Sequence, residues 1–230
     1  MRRVALLILG GLALLAIGGF AGWRLHRPAA DARAYAEMRL IAVQVSLDEA
    51  PPDYLFWAGD SQVELQPGSQ RPCGLDFLNG GISGSTAASY ADHLARLTFK
   101  VPPRLAALTI GTNDILVKNN PRLDRPTAQF EAAAEAIIKR LQTLSPRVVV
   151  TALPPVGREL SKLVDAGAVA VYSQRLRNLC GRLGCVFTDP FAALRDGDTG
   201  YAKPGALRDG LHLAAFRPAL KAVEPALCGP

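Results

Sequence analysis

The chain has 230 residues, 49% of them hydrophobic and 20% charged, which fits one compact domain with a sizeable core and excludes a disordered tail or a collagen-like repeat. Its 26 basic and 20 acidic residues give a net charge of +6, but Arg2, Arg3, Arg24 and Arg27 stand in the first 27 residues with no acid among them. The remainder, at 22 basic against 20 acidic residues, is too evenly balanced for a phosphate-tracking surface, so no nucleic-acid partner is expected.

Val4 to Trp23 is a run of twenty residues without a charge, long enough as a helix to cross about 30 Å of hydrocarbon. Residues 1–27 therefore read as an uncleaved signal-anchor, with membrane contact through residues 4–23, or as a signal peptide removed near Gly19 and Ala21. The first reading leaves the rest of the chain tethered in the periplasm or at the cell exterior; the second releases it there. Residues 28–52, rich in alanine and charge, read as a juxtamembrane helix or spacer, closed by Pro51-Pro52 because the residue before a proline is pushed out of helical geometry. The domain proper is expected over 53–230.

Within it, short apolar runs alternate with helical patterns. Strands are expected at Tyr54–Ala58, Asp76–Leu78, Leu105–Ile110, Val148–Ala152 and Val186–Thr188, and helices near 86–97, 127–145, 165–183 and 214–226. The clearest helix carries Phe130, Ala134, Ile137, Ile138, Leu141 and Leu144 on one stripe. Strands without apolar-polar alternation, separated by helices, imply an α/β fold with a parallel sheet covered on both faces. The four cysteines suit an oxidising compartment: Cys180 and Cys185 are near enough for a local bridge, leaving Cys73 to pair with Cys228, against the alternative of buried free thiols.

Chemistry in such sheets collects at the carboxyl ends of the strands. There the sequence places Gly59-Asp60-Ser61, Asn79-Gly80-Gly81-Ile82-Ser83-Gly84 and Gly111-Thr112-Asn113-Asp114, with Asp209-Gly210-Leu211-His212 before the last helix. A serine hydroxyl needs a positioned base, and imidazole is the group suited to it near neutral pH. Of three histidines, His26 flanks the apolar run and His93 falls inside a helical pattern, which leaves His212. The spacing lets the Asp209 carboxylate reach Nδ1 of that ring, turning Nε2 toward Ser61. Backbone N–H groups of Ser61 and Gly81 and the Asn113 side-chain amide are the expected donors to a developing oxyanion. Asp60 and Asp114 are expected to hold their loops, Trp57 and Phe191 to lie in the core, and loop 114–126 to wall the pocket.

Four such blocks in order strongly resemble the SGNH hydrolases, also called the GDSL esterase/lipase family, over about residues 53–226. The resemblance implies a three-layer α/β/α sandwich around a parallel, flavodoxin-like sheet of about five strands. It makes Ser61 the nucleophile, His212 the base, Asp209 its acid, and Ser61, Gly81 and Asn113 the oxyanion hole, with ester hydrolysis through an acyl-enzyme and no metal or cofactor. Thr151-Ala152-Leu153-Pro154-Pro155 is similar to the family's proline-ended strand. Two features depart from the pattern: Gln62 stands where the signature has leucine, and no glycine follows the histidine within Leu213–Arg217. The implied substrates are acyl esters of lipids or O-acetyl groups on envelope carbohydrate. Alternatives are a non-catalytic polysaccharide-binding or assembly scaffold, or an acyltransferase using the same residues.

Overall fold

The computed structural model describes residues 32–229, which from Ala36 onward form one compact unit. The apolar run Val4–Trp23 lies outside the described residues; among those described, no helix is long and apolar enough to cross a membrane.

Five strands, β1 (Tyr54–Gly59), β2 (Asp76–Gly81), β3 (Leu105–Thr109), β4 (Val148–Thr151) and β5 (Val186–Thr188), form one wholly parallel sheet in the order β2-β1-β3-β4-β5. Each lies where the apolar runs predict it, to within three residues at its ends. Because successive side chains in a strand point to opposite faces, β1 buries Tyr54, Phe56 and Ala58 on one side and Leu55 and Trp57 on the other. The first face is covered by α1 (Ala32–Asp48), α3 (Ala87–Arg96), α4 (Asp124–Leu144) and α5 (Ala166–Leu183). The second is covered by the short α2 (Ser61–Glu64) and by α6 (Arg217–Cys228), which pack Val63, Val223 and Leu227 against it. The result is a three-layer α/β/α sandwich.

Residues 28–52, read as a juxtamembrane helix or spacer, hold a helix, but it does not stand outside the domain. From Ala36 onward it belongs to the compact unit, because Ala36, Leu40, Val43 and Leu47 recur on one side and are buried in the same core as Phe56 and Tyr90. Both cysteine pairs are bonded as expected, Cys73 to Cys228 and Cys180 to Cys185. Trp57 and Phe191 are buried.

The strand order reverses at β1, whose neighbours are β2 on one side and β3 on the other. Chains leaving β1 and β3 diverge there, opening a crevice at their carboxyl ends. The loops after β1, β2 and β3 all reach this edge.

Candidate active site

Gly59 lets β1 turn sharply into α2: at φ +156° it runs so close to β3 that a Cβ would lie 2.0 Å from the Thr109 carbonyl oxygen. Asp60 then caps α2, accepting the Gln62 N–H at 2.9 Å, while its other oxygen accepts the Thr112 N–H at 3.1 Å. This completely buried carboxyl is pushed up to about 6, mainly by burial, with the two N–H donors acting against it. It joins the loop after β1 to the loop after β3. Ser61 follows as the first residue of α2, 7% exposed, its N–H without a partner among the described residues, as expected in a first helical turn.

His212 comes from the far end of the chain. Its Nε2 lies 2.8 Å from Ser61 Oγ, across 151 residues, and its Nδ1 lies 2.7 Å from Asp209 Oδ2. The other oxygen of Asp209 accepts the backbone N–H groups of Leu211 and His212 at 3.0 and 2.8 Å. Partial burial alone would raise the Asp209 carboxyl, but the His212 ring and these N–H donors outweigh it and hold the group at about 2. A carboxylate ionised at any ordinary pH takes the Nδ1 proton as its hydrogen-bond partner and leaves Nε2 free to accept from the serine.

Asn113 follows Thr112, whose N–H ties the loop after β3 to Asp60, and its own Nδ2 reaches the loop after β2, donating to Ser85 O at 3.0 Å. The second Nδ2 hydrogen remains for another acceptor. Asp114 holds the same loop from behind, accepting the Ala87 N–H at 2.9 Å at the start of α3; burial first, then the Asp60 charge, push its carboxyl up to about 7. Both acids therefore take the loop-holding positions expected of them.

Gly81 is the correction. Its N–H is donated to Asn79 Oδ1 at 3.0 Å and its carbonyl accepts from Arg39 Nε at 2.8 Å. A Cβ on it would lie 2.2 Å from Glu64 N, so this glycine serves the close approach of β2 to α2 and has no N–H to offer an oxyanion. Further round the turn, Ile82 N–H goes to Gly59 O, Ser83 N–H to Glu64 Oε2 and Ser85 N–H to Ile82 O. Gly84, at φ +80°, is the residue whose N–H has no partner among those described. The reading from sequence missed it; the Ser83-Gly84-Ser85 tripeptide signals a turn but not which N–H is left over.

Gln62, where the sequence departs from the family signature, is 1% exposed and its Nε2 donates to Leu211 O at 2.7 Å. Loop 114–126 borders an open cavity of about 510 Å³ with Asp165 and Tyr201, which Ser61 and His212 do not line. Asp189, just after β5, accepts the Phe191 N–H and pairs with Arg195.

The arrangement can transfer a proton from Ser61 Oγ to His212 Nε2. The GDSL-like lipase/acylhydrolase family matches residues 46–215. Similar folds include a Streptococcus pneumonia protein provisionally named a platelet activating factor, 22% identical, with a TM-score of 0.70 over 92% of this chain and 97% of that one. A GDSL-like lipase from Bacteroides thetaiotaomicron is 17% identical, at 0.60 over 86% and 97%. A carbohydrate acetylesterase family member from Sinorhizobium meliloti is 16% identical, at 0.59 over 75% and 96%. No curated protein matches the chain. With the family matched across most of the chain, and its blocks meeting at the switch point of the sheet, this chain belongs to the GDSL-like lipase/acylhydrolase family.

Proposed function

We propose that the protein is a serine ester hydrolase in which Ser61 is the nucleophile, His212 the general base and Asp209 the group that orients and charges the ring. The observation that carries this is the relay of 2.8 and 2.7 Å from Ser61 Oγ through His212 to Asp209. As Ser61 Oγ attacks the ester carbonyl, His212 Nε2 takes its proton; the imidazolium so formed is stabilised by the Asp209 carboxylate and then protonates the leaving alcohol. The carbonyl oxygen becomes negative in the tetrahedral intermediate, and the free N–H groups of Ser61 and Gly84 with the spare Asn113 amide hydrogen receive it. Water repeats the sequence on the acyl-enzyme.

In this reading the substrate is a lipid acyl ester or an O-acetylated envelope carbohydrate, the second in line with the acetylesterase fold of Sinorhizobium meliloti. The two disulfides and the apolar run at residues 4–23 support an exported or membrane-anchored protein, since such bonds persist in oxidising compartments. A fluorophosphonate probe should label Ser61 in the wild type and leave Ser61→Ala unlabelled. A folded wild-type sample that takes no label would favour a binding scaffold. A p-nitrophenyl ester series from acetyl to octanoyl then separates the substrates: strong preference for acetyl counts against the lipid ester.

A further inference from the structure

We propose that Gln62 is a positioning residue that sets the distance between nucleophile and base; the inference rests on the assignment of Ser61 and His212 to those roles. Gln62 follows Ser61 directly, and its surroundings are mostly apolar, with Trp57, Phe191, Leu213 and Phe216 lining the same small cavity. Its Oε1 is buried without a hydrogen-bond partner among the described residues. An unpartnered buried amide oxygen is destabilising, and leucine, the residue of the family signature at this point, would fill similar space without it. Glutamine must therefore gain something that leucine cannot give.

What it gains is the bond from Nε2 to Leu211 O, 2.7 Å long and spanning 149 residues, which grips the residue immediately before the base. Four successive carbonyls of the histidine loop are held. Gly210 O accepts from Gly157 N–H, Leu211 O from Gln62, His212 O from Arg208 N–H, and Leu213 O from Arg208 Nε. Among these donors only Gln62 stands on the helix that carries Ser61. Its own N–H is fixed by Asp60, which also holds Thr112. The residue thus ties the histidine loop to the one part of the structure against which the imidazole must be registered. Removing the tie leaves the Asp209–His212 pair intact but lets both move relative to Ser61, and rate depends steeply on such placement.

The test compares Gln62→Leu with wild type for kcat, KM, rate of fluorophosphonate labelling and thermal midpoint. The expected result is a fall in kcat and labelling rate of about tenfold or more, KM within about twofold, and a midpoint equal to or above that of wild type. A second variant, Gln62→Glu, carries a carboxyl that can donate to Leu211 O only while protonated, so its kcat relative to wild type should fall as pH rises. Unchanged kcat in Gln62→Leu, or a loss of kcat that merely follows a lowered midpoint, overturns the inference. Ser61→Ala separates the two levels. If it keeps full activity, the assignment of the site falls and the inference with it; if it is inactive while Gln62→Leu is unaffected, the inference alone falls.

Discussion

Gly81 and Gly84 stand three residues apart in one turn, yet their substitution should fail in different ways. A methyl group at Gly81 would meet the backbone of α2 at 2.2 Å, so the helix bearing Ser61 must shift, at a cost of about 3 kcal/mol or more. At Gly84 nothing lies within 4 Å of a Cβ, and the cost is that of holding alanine at φ +80°, about 1–2 kcal/mol. Urea denaturation of Gly81→Ala and Gly84→Ala should give that order of stabilities. If Asn113 donates to the oxyanion as proposed, Asn113→Ala should lower kcat about 10²–10³-fold. Asp209→Asn should lower it about 10²–10⁴-fold by misorienting the ring, in steady-state assays on folded protein. That Ser61, His212 and Asp209 would meet was legible in the sequence because a motif names those side chains. The choice between the two glycines was not: it depends on which backbone N–H is already spent, and only the Gly81–Asn79 bond reveals that.

Among the elements, β1 to β5 and the four later helices were legible from their apolar periodicity, whereas the burial of α1 and the presence of α2 were not. Helix α1 buries Ala36, Leu40, Val43 and Leu47 but also exposes Met38, Ile41 and Val45, so no polar face marks the boundary of its buried stripe. Helix α2 is four residues long and is held by the Asp60 cap rather than by periodicity. Caps of this kind make the fold sensitive to pH. Asp60 at the start of α2 and Asp114 at the start of α3 titrate near 6 and 7, against 3.8 for an unperturbed aspartate. Between those values the folded state holds protons that the unfolded chain has lost, so their contribution is full below about 4 and lost as pH rises through 6 and 7. Asp209 has the opposite sign: its contribution is present above 3.8 and disappears as pH falls through about 2. Calorimetry should show the thermal midpoint declining from about pH 4 to 7. Asp114→Asn, which keeps an oxygen for the Ala87 N–H, should flatten that decline.

At the scale of the whole molecule, the proposed catalytic residues sit in a fold whose last helix is covalently joined to the segment before β2. Cys73–Cys228 closes a separation of 155 residues, linking the segment between α2 and β2 to the end of α6, whereas Cys180–Cys185 closes one of five. If a disulfide acts by restricting the unfolded chain, these separations correspond to about 5 and about 2 kcal/mol. The larger one bears on function, because α6 begins just after the histidine loop and packs Phe216 and Ala219 under Leu213, next to His212. The far end of α6 is also fixed by Arg147, whose Nη2 donates to Ala226 O at 2.9 Å. Releasing Cys228 should therefore loosen the helix that supports the base, while the crevice lined by the ends of β1 and β3 is left in place. The double variant Cys73→Ser/Cys228→Ser should lose more stability in denaturant than Cys180→Ser/Cys185→Ser, and below its unfolding midpoint it should lose kcat before its far-ultraviolet circular dichroism changes. Equal losses in the two variants, or activity that tracks the dichroism, would show that α6 does not hold His212 in register.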